Sequence, residues 1–389
     1  MRKTLFIFPL AASLALFQAQ ENLNFGITKE ILSPEISEGK ITLRLLAPEA
    51  KDVKVQGNWL PYEGFMQKPA PMTKDSEGLW SYSPSNLTPD IYTYNFIVDG
   101  VKTIDPGNAY TVRDVTSIAN ILFVEGKESS LYKVKDVPHG TVAKRWYPSV
   151  GLNAERRISI YTPPGYESSK ESYPVLYLLH GVGGDEEAWL TLGRASQILD
   201  NLISEGKTKP MIVVMPNGHT SNSAAPGESS KGFYRPTMMT PDVFNGDMET
   251  YFPEIIKFTE SNYRVKKDSK NRAIAGLSMG GFHTLYISAN EPKTFDYVGL
   301  FSPAILPPNG KDVATYKDLD KKLTAQKQNG YKLYWIGTGK DDFLFKSIED
   351  YRKRLDQMNF KYEYKETPGG HTWSNWRVYL SEFATKLFN

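Results

Sequence analysis

The 389-residue chain contains no cysteine, which removes disulfides, thiolate metal ligands and a thiol for lipid attachment. Charge of one sign is also scarce. Lys and Arg number 46 against 44 Asp and Glu, a formal net charge of +2, too little to steer nucleic acid or an anionic membrane surface. No basic run with interleaved aromatics occurs, so nucleic acid is not expected as a partner. The five histidines (139, 180, 219, 283, 371) form no H-x-x-x-H pair, and neither a P-loop nor a G-x-G-x-x-G is present. No metal and no cofactor is therefore implied. After the first twenty residues no apolar run is long enough for a spanning helix, and no membrane anchor is expected.

What is present starts with "MRKTLFIFPLAASLALFQAQ". Arg2 and Lys3 precede an apolar stretch from Leu5 to Phe17, followed by small and polar residues. This pattern predicts a secretory signal peptide over residues 1–19, cleaved after Ala19, and a periplasmic or secreted location.

Two rhythms divide the rest. Residues 25–125 alternate apolar and polar positions in short runs such as "KITLRLLAP", "DVKVQG" and "SIANILFV", with Gly, Pro, Asp and Asn between them. That spacing predicts an all-β, immunoglobulin-like sandwich. In "IYTYNFIVDG", Tyr92, Tyr94, Phe96 and Val98 share one face and Asp99-Gly100 makes a hairpin turn. Residues 126–144 are polar and aperiodic, and read as a linker. From residue 145 to 389, strands ("RRISIYTP", "PVLYLLH", "MIVVMP", "NRAIAGLS", "YVGLFSP", "YKLYWIGTG", "KYEYKETP") alternate with helices expected near 194–205, 248–262, 280–290, 345–358 and 374–387. The prediction is a mostly parallel sheet covered by helices on both faces, an α/β hydrolase.

The chemistry centres on "AIAGLSMGGFHTLY". Gly276-Leu277-Ser278-Met279-Gly280 fits G-x-S-x-G between a predicted strand and a predicted helix, where a serine is presented on a sharp turn. Ser278 is the candidate nucleophile. In α/β hydrolases the acid and then the base follow the serine in the chain. Only His283 and His371 lie beyond it. His283 falls in the helix that the turn begins and points away, so His371, in a loop after a predicted strand, is the candidate base. "IGTGKDDFLF" offers Asp341 and Asp342 for the acid. Asp342 is preferred, with Asp341 a solvated or helix-capping residue. Two N–H groups are needed for an oxyanion: Met279, after the nucleophile, and Val182 in the loop "HGVGGDEEAW". His180 is expected to brace that loop. Asp185, Glu186 and Glu187 read as a solvated helix start.

"YPVLYLLHGVGGDEEAW", "GLSMGG", "GTGKDDFL" and "GGHTWSNWR" together resemble the esterase D-like α/β hydrolases, and more narrowly the feruloyl and acetylxylan esterases of carbohydrate esterase family 1. The resemblance covers about residues 145–389. It implies Asp342 as the acid, through a G-x-x-D-x-L pattern over Gly339–Leu344. It also implies, as partner and substrate, a feruloylated or acetylated plant polysaccharide or oligosaccharide, hydrolysed through an acyl-enzyme. The N-terminal half, through "APEAKDVKVQGNW", "PMTKDSEGLW", "YTYNFIVDG" and "DPGN", is similar to carbohydrate-binding modules of family 48. Trp189, Tyr234, Trp373 and Trp376, with Phe233, Met238 and Met239, are candidate walls of an acyl pocket. A siderophore esterase and a glycan-binding protein with an inactive hydrolase domain are the competing functions. The near-neutral charge disfavours the first, and the intact Ser278, Asp342 and His371 the second.

Overall fold

A computed structural model describes residues 31–37, 39–63, 66–230, 232, 236–238, 240, 242–305 and 313–389. The stretch read as a signal peptide lies outside the described residues, as do Phe233, Tyr234 and Met239. Among the described residues no helix is long and apolar enough to cross a membrane.

The N-terminal part is two antiparallel sheets packed face to face, together with a two-stranded ribbon of Tyr62–Glu63 and Met66–Gln67. One has four strands, ordered Glu35–Ser37, Lys40–Leu46, Leu79–Tyr82 and Thr73–Lys74. The other runs Thr111–Asp114, Ser117–Phe123, Ile91–Val98, Val53–Gly57, Ala70–Pro71, with Val101–Thr103 also paired to Ile91–Val98. Alternation in sequence becomes alternation in burial. In Lys40–Leu46 the inward positions are Ile41, Leu43 and Leu45, which meet Val53, Val55, Trp80, Tyr94, Phe96 and Leu122. The Asp99-Gly100 turn has φ of 48° and 86°, as a two-residue hairpin with both central residues left-handed requires.

The second part is an eight-stranded sheet ordered Thr141–Ser149, Ala154–Thr162, Ile212–Pro216, Val175–Leu179, Arg272–Leu277, Tyr297–Phe301, Leu333–Gly339, Glu363–Thr367. The first two strands pair antiparallel and the remaining six run parallel. The continuous apolar runs are continuous because both faces are covered. Leu176 and Leu178 enter one core with Ile198, Leu199, Tyr379 and Phe383. Val175, Tyr177 and Leu179 enter the other with Phe252, Phe282 and Leu285.

Several elements escaped the sequence reading, two of them in the second part. The edge strand Thr141–Ser149 lies partly in the stretch read as linker, and the rest of that stretch is docked, with Tyr132 buried and the Leu131 and Lys133 carbonyls accepting from Asn201 Nδ2. The helix Leu319–Asn329 buries only Leu319, Leu323 and Gln326, too sparse an apolar stripe to show as helical periodicity.

Candidate active site

The loops that carry chemistry all leave the carboxyl ends of neighbouring parallel strands, where α/β sheets place their sites. Ser278 follows Arg272–Leu277, Ser302 follows Tyr297–Phe301, Asp342 follows Leu333–Gly339, and His371 follows Glu363–Thr367.

Ser278 sits at φ 53° and ψ −114°, a strained conformation for a residue with a Cβ. Three backbone bonds hold it there: its N–H donates to Phe301 O at 2.9 Å, and its carbonyl accepts from Phe282 N–H at 3.0 Å and Ala304 N–H at 3.1 Å. The motif glycines are required by contact. A Cβ on Gly276 would lie 2.3 Å from Gly280 O, and one on Gly280 would lie 2.5 Å from both the Leu179 and His180 carbonyls. The following helix, Met279–Asn290, is thereby pulled against the strand end that carries the His180–Gly184 loop.

His371 Nδ1 donates to Asp342, at 3.0 and 2.9 Å from its two oxygens. Asp342 also accepts the Leu344 N–H at 2.9 Å and is 4% exposed, whereas Asp341 is exposed. Burial alone would raise the Asp342 carboxyl. The hydrogen bond and charge of His371 and the Leu344 N–H outweigh it and hold the group below its usual range. An ionised Asp342 on Nδ1 leaves Nε2 of His371 as the nitrogen that can take and return a proton. Ser302, at φ 45°, was not singled out from sequence. No motif marks it, since its relevance arises only where its strand runs beside that of Asp342.

The facing loop is built from backbone. A Cβ on Gly181 would lie 3.3 Å from Ser278 Cβ, so Gly181 and Val182 border the serine. Gly183 N–H donates to His219 Nε2 at 3.2 Å and Gly184 N–H to Gly181 O at 3.1 Å. Among the described residues, the N–H groups of Val182 and Met279 donate to nothing, as is required of groups that would receive an oxyanion. His180 Nδ1 donates to Gly181 O at 2.8 Å and its Nε2 accepts the Gly218 N–H at 2.7 Å. Arg156, fully buried, fixes the partner loop by donating to the Asn217 and His219 carbonyls at 2.7 and 3.0 Å.

Both loop histidines act as acceptors, which only neutral imidazole can do. Burial, reinforced for His219 by the neighbouring imidazoles, pushes His180 down to about 4 and His219 to about 3 from an ordinary 6.5. The unfolded chain takes up these protons near pH 6.5 and the folded chain only well below it, so stability falls as the pH drops through that window. At about pH 4.5 the loss is roughly 2–3 kcal/mol per histidine. The melting temperature is expected to be flat above pH 7 and to fall steadily towards pH 4.5. His219→Gln should have a shallower acid slope, and equal slopes in the two proteins would remove His219 from the account.

The acidic cluster is not the solvated helix start that the sequence suggested. Asp185 is 5% and Glu186 1% exposed. Glu186 accepts from Arg157 Nε at 2.6 Å and Asn217 Nδ2 at 2.9 Å, and Arg157 also pairs with Glu187 and Glu228. Asp185 pairs with Arg113 of the β-sandwich. Two buried carboxylates find cations remote in sequence, which local pattern does not disclose.

The aromatic candidates separate. Trp189, 1% exposed, donates its Nε1 to Leu179 O at 2.9 Å and is a core residue rather than a pocket wall. Trp376 is also buried, but its ring meets His371 edge-on at 4.9 Å, so it packs against the candidate base. Trp373 is half-buried between these two, 5.3 Å from Trp189 and 5.1 Å from Trp376. Tyr234 lies outside the described residues. Sequence reasoning passed over Phe343, which is 75% exposed with its ring 4.5 Å from that of His371. Its position directly after Asp342 was the available signal. His283, fully buried, donates Nδ1 to Glu249 at 2.7 Å and is a core residue.

The Esterase family matches residues 149–387. An endo-1,4-beta-xylanase/feruloyl esterase from Xylanibacter ruminicola is 31% identical over 362 residues, 90% of this chain and 45% of that protein. The chain thus spans less than half the length of this relative. A ferulic acid esterase from Anaeromyces mucronatus, solved with ferulic acid, superposes with a TM-score of 0.55 at 25% identity, covering 72% of this chain and 97% of that one. The enterobactin esterase of Shigella flexneri shares the fold across both parts, with a TM-score of 0.64 over 89% of this chain and 92% of its own, at 16% identity. The chain belongs to the Esterase family, as an α/β hydrolase related to the feruloyl esterases of carbohydrate esterase family 1 and preceded by an N-terminal β domain.

Proposed function

We propose that this esterase hydrolyses hydroxycinnamoyl esters, feruloyl above all, carried by plant cell-wall polysaccharides such as xylan, in the periplasm or outside the cell. Ser278 Oγ attacks the acyl carbon as its proton passes to His371 Nε2, and the carbonyl oxygen becomes an oxyanion between the Val182 and Met279 N–H groups. Collapse breaks the C–O bond to the sugar, and His371 returns the proton to the departing hydroxyl. Water then gives a proton to His371 as it attacks the acyl-Ser278 ester, and the acid leaves as Ser278 recovers its proton. Asp342 stays ionised throughout and holds the imidazole.

The observation that carries the choice of acyl group is the exposed Phe343 ring beside His371. Met238, 60% exposed, is a second apolar side chain close to the oxyanion loop, its Sδ 3.3 Å from where a Gly183 Cβ would lie. An acetyl group has no use for such surfaces. A hydroxycinnamoyl ring gains roughly 1.5–3 kcal/mol from burial against one. The names of the Xylanibacter and Anaeromyces proteins support the same reading.

The test is a panel of methyl ferulate, acetylated xylan and a catecholate siderophore, assayed for release of acid. Methyl ferulate is expected to exceed acetyl esters by at least about tenfold in kcat/KM, which needs only ~1.4 kcal/mol of differential transition-state binding. Phe343→Ala and Trp373→Ala should erode that ratio more than they lower acetyl-ester turnover. Acetylated xylan cleaved as well as methyl ferulate, with a ratio indifferent to both truncations, would show a small acyl pocket. Preference for the siderophore would replace the plant-ester reading.

A further inference from the structure

The β-sandwich reaches the catalytic end of the hydrolase sheet at two places. One is Asp90, which accepts from Arg377 Nη2 at 2.7 Å and also from Ser374 and Tyr132. Ser374 and Arg377 lie on the helix Trp373–Ala384, which begins two residues after His371. The other is the hairpin of Thr111–Asp114 and Ser117–Phe123, whose turn meets the loop of the proposed oxyanion donor. A Cβ on Gly183 would lie 2.6 Å from Val115 Cγ2 and 3.0 Å from its Cγ1, so the two residues fit only because one of them lacks a side chain.

Three features set this contact apart from incidental packing. Val115 has φ 52°, a left-handed conformation that Gly, Asn and Asp adopt readily and a β-branched residue does not. A turn answering only to its own geometry has no reason to carry valine there. Arg113 ties the turn to the loop: its Nη1 donates to Val115 O at 3.3 Å while its Nη2 pairs with Asp185. Asp185 in turn orders the chain that follows, its Oδ1 accepting the Glu187 N–H at 3.0 Å and its carbonyl the Ala188 N–H at 3.1 Å. Its carboxylate is buried, and a buried charge deprived of its partner is costly enough to make a loop rearrange.

We infer that the N-terminal β domain is a working part of the esterase centre, with Arg113 and Val115 as positioning residues that fix the Val182 N–H where the oxyanion forms. The inference rests on the assignment of Val182 as an oxyanion donor made above. On the hydrolase side the loop is fixed at Gly181 by His180 and at Gly183 by His219. On the other side it is fixed at Gly183 by the Val115 side chain and at Asp185 by Arg113. Val182 lies between these fixed points, its N–H free of any described partner. An N–H displaced by even a fraction of an ångström hydrogen-bonds the ground-state carbonyl nearly as before but loses the developing charge, so the loss falls on the chemical step.

The test uses the full chain with Val115→Gly, Arg113→Gln and the conservative Arg113→Lys. Steady-state hydrolysis of methyl ferulate is measured together with amide hydrogen exchange of the peptide Leu179–Trp189. Val115→Gly and Arg113→Gln are expected to lower kcat at least about tenfold with KM within about twofold, since misplacement rather than loss of one donor is involved. Exchange in the Leu179–Trp189 peptide should quicken, and Arg113→Lys should recover part of both effects. Val115→Gly should not lower the melting temperature, because glycine suits the left-handed turn, and this separates positioning from a folding defect. An unchanged kcat, a loss confined to KM, or a fall in kcat without faster exchange overturns the inference. Hydrolysis by the unaltered chain that is insensitive to Ser278→Ala overturns the underlying site assignment instead, and the exchange arm still decides whether the hairpin holds the loop.

Discussion

Ser278→Ala is expected to lower ester turnover by about 10³-fold or more while leaving the fold intact. The size follows from what is removed. In the proposed mechanism Oγ forms the acyl bond, and without it only binding and the Val182 and Met279 N–H groups, which have no partner among the described residues, would act on the substrate. The fold is spared because every interaction that shapes the turn is made by backbone. The N–H of residue 278 bonds Phe301 O, and its carbonyl takes the Phe282 and Ala304 N–H groups. The hydroxyl caps nothing in the helix that follows. Circular dichroism and the melting temperature should match the parent, and the burst-phase acylation expected of the parent should be absent. Activity near the parental level in a correctly folded variant would remove Ser278 from the mechanism and with it the acyl-enzyme.

Asp342→Asn is expected to cost roughly 10²–10⁴-fold in turnover, and Asp341→Asn far less. Asparagine keeps the size of the side chain but can offer His371 an N–H in place of an acceptor, which favours the tautomer with its proton on Nε2. That proton sits where Ser278 must deliver its own. The imidazolium that forms on attack also loses a buried countercharge. Asp341 has none of these roles, since its carboxylate is exposed and His371 bonds its neighbour. The pH dependence gives a second readout. A carboxyl held below its ordinary value stabilises the fold above the unfolded carboxylate range, and that stability is lost as pH falls through the folded value. The Asn variant should therefore show a smaller acid-induced loss of stability than the parent. The reverse order of the two kinetic effects would transfer the acid role to Asp341.

Much of the hydrolase sheet was legible because its determinants are local. A strand buried on both faces reads as an unbroken apolar run, and Val175–Leu179, Ile212–Pro216 and Leu333–Gly339 are such runs. The edge strand Thr141–Ser149 was not legible, because it is half solvated and its alternation is weak. The aromatics show the limit most clearly. Trp189 and Phe343 both stand close to motif residues in the chain, yet one is 1% and the other 75% exposed. Which of them faces a substrate depends on which face of the loop the core covers.

The sequence by itself determined that a serine would be presented at a strand–helix turn, because the glycines at 276 and 280 permit close approaches that no other residue allows. It also placed the candidate base and acid in loops after later strands, since chain order and strand period are properties of neighbouring residues. The preference for Asp342 over Asp341 came from a resemblance, and the tertiary structure supplied the contact with His371; it alone decided that Asp185 and Glu186 are buried against arginines and that a β-sandwich turn lies on the Gly181–Asp185 loop. Those contacts join residues 29 to 72 positions apart. Their formation depends on how strands are ordered in the sheet and how the two parts dock, and no local period encodes either.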